Sequence, residues 1–600
     1  MDTFRDLLRY LRVYRRYIGR RIYLVFGLTV AVAFAQSFGI TLLLPLLRAS
    51  QSSGSGAEDM GWFEEALQGL LTWMGIADYL PGILGFIALV FIAKGGLEFA
   101  KGGYVGYLQA QLLRELKTRL FDAYSKMTYR YYIQQNAGHF INVINQQVNR
   151  FFQSFTSFTG FFSQIITTLA YFGAAFFVAW RFALMALGVG VGLLFLFKYL
   201  NAYVRRLSRE RSAEMSELNK LLVQTLQSLK YVVGTNQTAH LRGGVVGSVN
   251  RLTGYIFRQK IAGSFTSSLK EPVSVLLVTG LIALQVMVFG GEIAPIFVAL
   301  LLFHRGMQSM MNIQSRWQQT MDKIGAVEMV TDEFDAVHAH EEKSGSRVVG
   351  ALQEGIEFDA VHFAYKEEDG DVLHDINISV PANETIALVG ESGAGKSTLV
   401  DMMTLMLRPR TGTIRIDGVA HDEIDLASWR DQIGYVSQET VVFDDTVANN
   451  ISLWQGDIEE DPALRERVMH AAERAHAHHF IEDLPNGYQT QVGDRGVRLS
   501  GGQQQRLFVA RELFKQPNLL LLDEATSDLD TASEQHIQNS VDALKGEVTV
   551  VIIAHRLSTV KNADRVYVLD EGRVIEAGTY HELRHRKEGA FREMVEMQSL

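Results

Sequence analysis

The sequence predicts two parts of different class in one chain: an α-helical membrane half of six spans, then an α/β half built on a phosphate-binding loop. Three observations carry this reading. Long apolar runs recur through residues 1 to about 330 and stop there. The stretch Gly390-Glu391-Ser392-Gly393-Ala394-Gly395-Lys396-Ser397-Thr398 lies between an apolar run and a helix-capable segment. Further on, two short apolar runs end in Asp523-Glu524 and in Ala554-His555, as strands do where a sheet edge presents its chemistry.

A chain of 600 residues exceeds one domain. Its formal net charge of -9 gives no basis for a nucleic-acid partner, and none is expected. The lack of cysteine excludes disulfides, thiolate catalysis and cysteine metal sites. The mean hydropathy of +0.06 averages two unlike halves. The expected boundaries are a membrane domain over 1–330, a linker over 331–350 and a nucleotide-binding domain over 351–600.

The leader carries Arg5, Arg9, Arg12, Arg15, Arg16, Arg20 and Arg21. Asp2, Asp6 and the span that follows at once argue against a transit peptide and for a helix lying on the inner leaflet. The spans are Ile22–Leu47, Tyr79–Leu108, Phe151–Trp180, Phe182–Val204, Phe265–Phe289 and Ile293–Ile313, each long enough for the ~20 residues that a crossing helix needs. Basic residues cluster in the leader and in the segments after spans two and four (Arg114, Lys117, Arg119; Arg205, Arg206, Arg209, Arg211). The positive-inside bias therefore puts the N-terminus, these two loops and the second half in the cytosol. The turns at Trp180-Arg181 and Gly290-Gly291-Glu292 are external. Residues 50–59 form an external loop. After it, Phe63, Leu67, Leu70, Leu71 and Met74 share one face of a helix over 62–74, with Trp62 and Trp73 suited to a headgroup boundary.

In the second half, the run Thr385–Val389, the glycine-rich loop and Leu399–Met403 form the strand, G-x-x-x-x-G-K-[ST] turn and helix of a phosphate-binding loop. Glycines let successive backbone N–H groups point at one anion, and the helix N-terminus favours negative charge there. Lys396 reaches the β- and γ-phosphates and the Ser397 hydroxyl holds Mg²⁺. Asp523, at the end of Leu519–Leu522, suits Mg²⁺, and Glu524 beside it suits the attacking water. His555 follows another buried run, Val550–Ile553. The chain is thus expected to bind a nucleoside triphosphate, with ATP and Mg²⁺ as its cofactors.

Leu499-Ser500-Gly501-Gly502-Gln503, together with these motifs, resembles the signature of ATP-binding cassette (ABC) transporters, and the resemblance covers essentially the whole chain. It implies an α/β P-loop cassette domain. In that family the signature of one subunit closes over ATP held by the other, which implies roles for Ser500, Gly501, Gly502 and Gln503. Tyr365 falls where the family stacks an aromatic on adenine. Gln438 matches the Q-loop glutamine linking Mg²⁺ and water to the membrane domain, and Asp523, Glu524 and His555 match the Walker B aspartate, catalytic glutamate and switch histidine. Thr490–Gly496 looks like the T-E-V-G-E-R-G segment of exporters, with Gln491 and Asp494 as departures. Asp528, in Ser527-Asp528-Leu529-Asp530, replaces the usual alanine. Six spans and one cassette look like a half-transporter, which implies a homodimer with coupling elements near Thr128–Asn136 and Gln227–Gln237.

Substrate class rests on ionisable residues inside apolar spans. Those are Lys94, Glu98, Lys101, Lys198, Lys270, Glu271, His304 and Arg305. Local ion pairs or cytosolic helix extensions account equally well for the lysines. The cationic balance favours an anionic substrate, with Lys94, Lys270 and Arg305 as candidate contacts. The first span, the external helix and the basic span-six residue also look like bacterial lipid-linked oligosaccharide flippases. That implies an amphipathic lipid or lipid-linked glycan as substrate and a multi-pass protein of the bacterial inner membrane. The alternatives are a multidrug or peptide exporter and, from another class, an ATP-gated channel or channel regulator.

Overall fold

The computed structural model describes residues 2–50, 62–77, 79–135, 137–284, 293–321, 323–366, 368, 370–523, 531–554, 560–586 and 588–598. Within its helices some side chains, among them those of 2–9, 48–50, 179–187, 189–202 and 269–271, are not described. The chain divides into two compact units. One comprises residues 1–125 and 137–339; the other comprises 126–136 and 340–600.

The first unit is helical: α1 (Asp2–Ile18), α2 (Ile22–Thr41), α3 (Leu43–Ser50), α4 (Trp62–Trp73) and α5 (Leu80–Tyr124). A short helix of the other unit, α6 (Tyr129–Gln134), interrupts the series. Then come α7 (Ala137–Asn142), α8 (Val148–Gln227), α9 (Leu229–Gly234), α10 (Thr238–Leu284), α11 (Ile293–Met321) and α12 (Ile324–Ala339). Among the described residues, Tyr10–Leu47, Leu80–Tyr124 and Gly138–Val178 are long and apolar enough to cross a membrane. The 45 residues of α5 reach about 68 Å at 1.5 Å per residue, well beyond a ~30 Å hydrocarbon layer. Its polar continuation buries Leu108, Leu112, Leu116 and Leu120, four residues apart along one stripe.

That stripe enters an aromatic core with Tyr10 and Tyr14 of α1, Phe151, Phe155 and Phe158 of α8, and Val327, Val330 and Phe334 of α12. The Tyr14 hydroxyl donates to Ser154 Oγ at 2.9 Å. The leader, expected to lie on the inner leaflet, turns Tyr10 and Tyr14, which stand one turn apart, into this core. Two readings change here. The segment expected to be a linker is helical up to Ala339, because Val327, Val330, Phe334 and Val337 repeat at helical spacing and are buried. The second concerns the turn expected at Trp180-Arg181: the helical backbone runs through it, and residues 177–187 contain neither proline nor glycine to break it. The turn expected at Gly290–Glu292 lies outside the described residues.

In the second unit, β1 (Gly355–Phe363), β2 (Leu373–Pro381), β4 (Thr411–Ile416) and β5 (Val419–Ala420) form an antiparallel sheet in the order β2-β1-β4-β5. β3 (Thr385–Gly390), β6 (Ile433–Val436), β7 (Leu519–Asp523), β8 (Thr549–Ile553), β9 (Arg565–Asp570) and β10 (Arg573–Gly578) form the central sheet, ordered β10-β9-β3-β8-β7-β6. All its pairings are parallel except β10 with β9.

The central strands are continuous apolar runs because both faces are covered. Ala387, Val389, Leu520, Leu522, Val550 and Ile552 join the core on one side. Their alternates Ile386, Leu388, Leu519, Leu521, Val551 and Ile553 join the core shared with the antiparallel sheet. A strand's period of two divides each run between the two layers.

Candidate functional site

Parallel pairing brings the C-terminal ends of β3, β7 and β8 together. Leu388 pairs with Ile553, and Ile553 with Asp523, so the loop after β3 opens beside Asp523. Gly390 adopts φ 154°, and a Cβ there would stand 2.2 Å from the Leu569 carbonyl oxygen. Gly393 and Gly395 have φ of 88° and 85°, so the loop turns through the region that favours glycine and enters α13 (Lys396–Met403).

The Lys396 side chain is buried and its ammonium donates to the carbonyls of Gly390 and Glu391, at 3.0 and 3.1 Å. The Ser397 hydroxyl donates to Asp523 Oδ1 at 3.3 Å. Thr398 Oγ1 and the Tyr365 hydroxyl share a hydrogen bond of 2.9 Å, and the Tyr365 ring meets Phe363 edge-on at 5.0 Å. Glu391 and Ser392 are exposed on the loop, whereas Ala394 is buried. Gln438 is exposed just beyond β6. Ser500 caps the helix Gly501–Phe514: Gln503 N donates to its hydroxyl at 3.3 Å, and its own N–H donates to Gln503 Oε1 at 2.9 Å. Ser500 and Gly501 are exposed and Gly502 is buried.

Glu524, His555 and Asp528 lie outside the described residues; the structure gives their chain neighbours Asp523 and Ala554.

Two acidic-site residues escaped sequence reading. Asp401 stands four positions after Ser397, on the same face of α13, and accepts from the Tyr435 hydroxyl at 3.4 Å. Burial, with the charge of Asp523 beside it, pushes the Asp401 carboxyl up to about 6. Burial also raises the Tyr435 hydroxyl, and the two carboxylates add to that. Two carboxylates this close in a half-buried pocket suit a divalent cation, and a hydroxyl beside a carboxylate is a fitting oxygen pair for Mg²⁺. The segment Thr128–Asn136, expected to be a coupling element, holds the Tyr365 carbonyl, which accepts from Arg130 Nε at 2.7 Å and Gln134 Nε2 at 3.3 Å.

In the helical unit, Lys94 pairs with Glu98 at 2.9 Å and Lys101 Nζ donates to Ser163 Oγ at 2.9 Å. These are the local partners that a structural reading of the lysines requires. Arg305 is exposed on α11, and among the described residues no carboxylate pairs with it. The Lys198, Lys270 and Glu271 side chains lie outside the description. On α4, Leu67 and Leu71 are buried while Trp62 and Trp73 are exposed, and Trp62 and Phe63 pack against Phe177.

Residues 373–527 match the family described as "ABC transporter", and residues 24–237 match "ABC transporter transmembrane region". A protein named ATP-dependent lipid A-core flippase from Shewanella frigidimarina is 31% identical over 516 residues, 83% of this chain and 83% of its own length. The chain is an ABC transporter. Relatives bearing the same name from Coxiella burnetii and Burkholderia orbicola are 31% and 30% identical, covering 87% and 93% of this chain and 87% and 90% of their own lengths. The fold is also similar to a bacterial Atm1-family ABC exporter solved with ATP bound, with TM-score 0.76 and 23% identity over 97% of this chain and all of that one. This ABC transporter therefore couples ATP hydrolysis to transport as a multi-pass membrane protein. It carries one transmembrane region and one cassette, the make-up of a half-transporter exporter.

Proposed function

We propose that this transporter flips an anionic amphipathic lipid or lipid-linked glycan across a bacterial inner membrane, as a homodimer with its cassettes in the cytosol. Similarity to flippases through both halves of the chain carries this reading, with 83 to 93% of the chain covered. Arg305 supports the anionic headgroup. A guanidinium in a spanning helix costs about 2.5–3.5 kcal/mol unless it meets water, a partner or an anion, and its planar fork suits phosphate. Lys94 and Lys270 are secondary contacts.

In each composite site Gly390–Gly395 wraps the phosphates with backbone N–H groups, and Lys396 leaves its loop carbonyls to reach the β- and γ-phosphates. Tyr365 stacks on adenine. Thr398 continues the loop into α13. Ser397, Asp523 and Gln438 would hold Mg²⁺, which would supply positive charge against the phosphates. Glu524 orients and deprotonates the attacking water, and His555 positions it against the γ-phosphate. Ser500, Gly501, Gly502 and Gln503 of the second copy complete the site through the exposed start of their helix, where the dipole favours an anion.

Flipping in proteoliposomes, with lipid A-core and a polyprenyl-pyrophosphate oligosaccharide as probes, tests the proposal. Arg305→Ala is expected to reduce flipping and substrate-stimulated ATPase while basal ATPase survives, and Arg305→Lys to recover part of the loss. Unchanged flipping by Arg305→Ala removes the headgroup role. Failure of the native protein to flip either lipid overturns the substrate class.

A further inference from the structure

The antiparallel sheet carries a cluster that nucleotide chemistry does not use. β1 and β2 pair with Phe363 opposite Leu373, and a bulge separates this pair from Val361 with Ile376. Val361, Phe363, Leu373 and Ile376 are all buried in the shared core, so strand alternation puts His362 and His374 together on the other face. Asp371 closes the same hairpin, where Val372 N donates to the Phe363 carbonyl at 2.7 Å. One ligand-capable atom from each of His362, Asp371 and His374 lies within 4.8 Å of the others.

We propose that His362, Asp371 and His374 bind a divalent transition-metal ion of the zinc class. Two imidazoles and a carboxylate are a borderline nitrogen and oxygen donor set, suited to Zn²⁺ or Co²⁺ more than to Mg²⁺. His362 Nδ1 and Asp371 Oδ2 are 3.3 Å apart, close to the ligand spacing of about 3.3–3.5 Å in a tetrahedron with ~2.1 Å bonds. The two half-buried imidazole rings stand edge to face with their centroids 6.4 Å apart.

Arg410 supplies the outer shell. Its Nη1 lies 3.1 Å from Asp371 Oδ1 and its Nη2 donates to Oδ2 at 3.4 Å, while its backbone N–H donates to the His362 carbonyl at 2.8 Å. The guanidinium therefore spans both carboxylate oxygens and fixes the orientation in which Oδ2 faces His362.

The cluster also adjoins the phosphate loop. His374 N donates to the Gly572 carbonyl at 2.8 Å, and Gly572 N donates to the Ala394 carbonyl at 3.2 Å. A Cβ on Gly395 would stand 2.6 Å from Leu373 Cδ2, so the hairpin rests directly on the loop's last glycine. An ion joining both strands to the hairpin's end braces this contact and the segment that carries Tyr365.

The test uses tag-free, full-length protein in detergent, stripped with chelator, without nucleotide and with excess Mg²⁺ to occupy oxygen sites. Equilibrium dialysis against micromolar Zn²⁺, and the visible absorption of Co²⁺, are expected to show one ion per chain in a nitrogen-containing low-symmetry site. His362→Gln with His374→Gln is expected to weaken binding more than about 100-fold, beyond the loss usual for an outer-shell change. His581→Gln with His585→Gln, an exposed stacked pair elsewhere, leaves it unchanged. Equal ATP binding by the metal-free variant and metal-free native protein shows that the cassette remains folded. Absence of an ion in the native protein, or retention of it by the His362/His374 variant, overturns the proposal.

Discussion

Gly395→Ala tests how the phosphate loop is seated, and its size can be worked from the structure. The position has φ 85°, and an added Cβ meets Leu373 Cδ2 at 2.6 Å and the Val372 carbonyl oxygen at 3.3 Å. The left-handed backbone costs an alanine about 1–2 kcal/mol, and the overlap adds about 1–3 kcal/mol if the core gives way. Gly393→Ala separates the two effects. Its φ is 88°, yet nothing stands within 4 Å of its Cβ, so only the backbone part of about 1–2 kcal/mol applies. Thermal unfolding of the nucleotide-free cassette keeps phosphate contacts out of the comparison. At ~2–4 °C per kcal/mol for a domain of 150–250 residues, Gly395→Ala is expected to lower the midpoint by about 4–20 °C and Gly393→Ala by about 2–8 °C. Leu373 is fully buried, so Leu373→Ala alone costs about 2–5 kcal/mol. Combined with Gly395→Ala it is expected to cost less than the sum, because the atom in collision is gone. Equal damage from the two glycine changes, or strict additivity with Leu373→Ala, refutes the reasoning.

Glu524→Gln is expected to keep ATP binding, nearly abolish turnover and trap a closed dimer; near-normal turnover in that variant removes Glu524 as the base. Co-expressing Lys396→Ala chains with Ser500→Arg chains is expected to leave each mixed dimer one site with both elements intact, so ATPase activity exceeds that of either variant alone. Failure to recover two copies together by native mass or crosslinking excludes composite sites. Asp401→Asn bears on pH. Because the folded carboxyl is raised to about 6, ionising it opposes folding, and the native contribution present below about pH 4 is lost as pH rises through 6. The variant is therefore expected to gain stability on the native protein between pH 5 and 7.5, by about 1 kcal/mol without Mg²⁺, and a pH-independent difference speaks against it.

The sequence by itself determined the central chemistry, because local pattern and function coincide there. A phosphate loop is set by glycines, Lys396 and Ser397 within nine residues, and a two-sided strand declares itself as an uninterrupted apolar run. Asp523 was legible for that reason, since it ends such a run. The long apolar segments announced a membrane domain equally directly, because a helix in hydrocarbon has to be apolar along its length.

Only the tertiary structure decided what depends on distant neighbours. Asp401 reads as an ordinary helix residue until pairing of β6 with β7 brings Tyr435 and Asp523 beside it. Arg130 and Gln134 reach the Tyr365 carbonyl across more than 200 positions of sequence, where no local period can register the contact. The leader's Tyr10 and Tyr14 declare no partner in the sequence, and Phe151, Phe155 and Phe158 supply it in the structure. The helical course through Trp180-Arg181 and up to Ala339 had the same cause: polar or charged composition suggests a break, whereas a helix ends only where its backbone is obstructed or its apolar stripe runs out of partners.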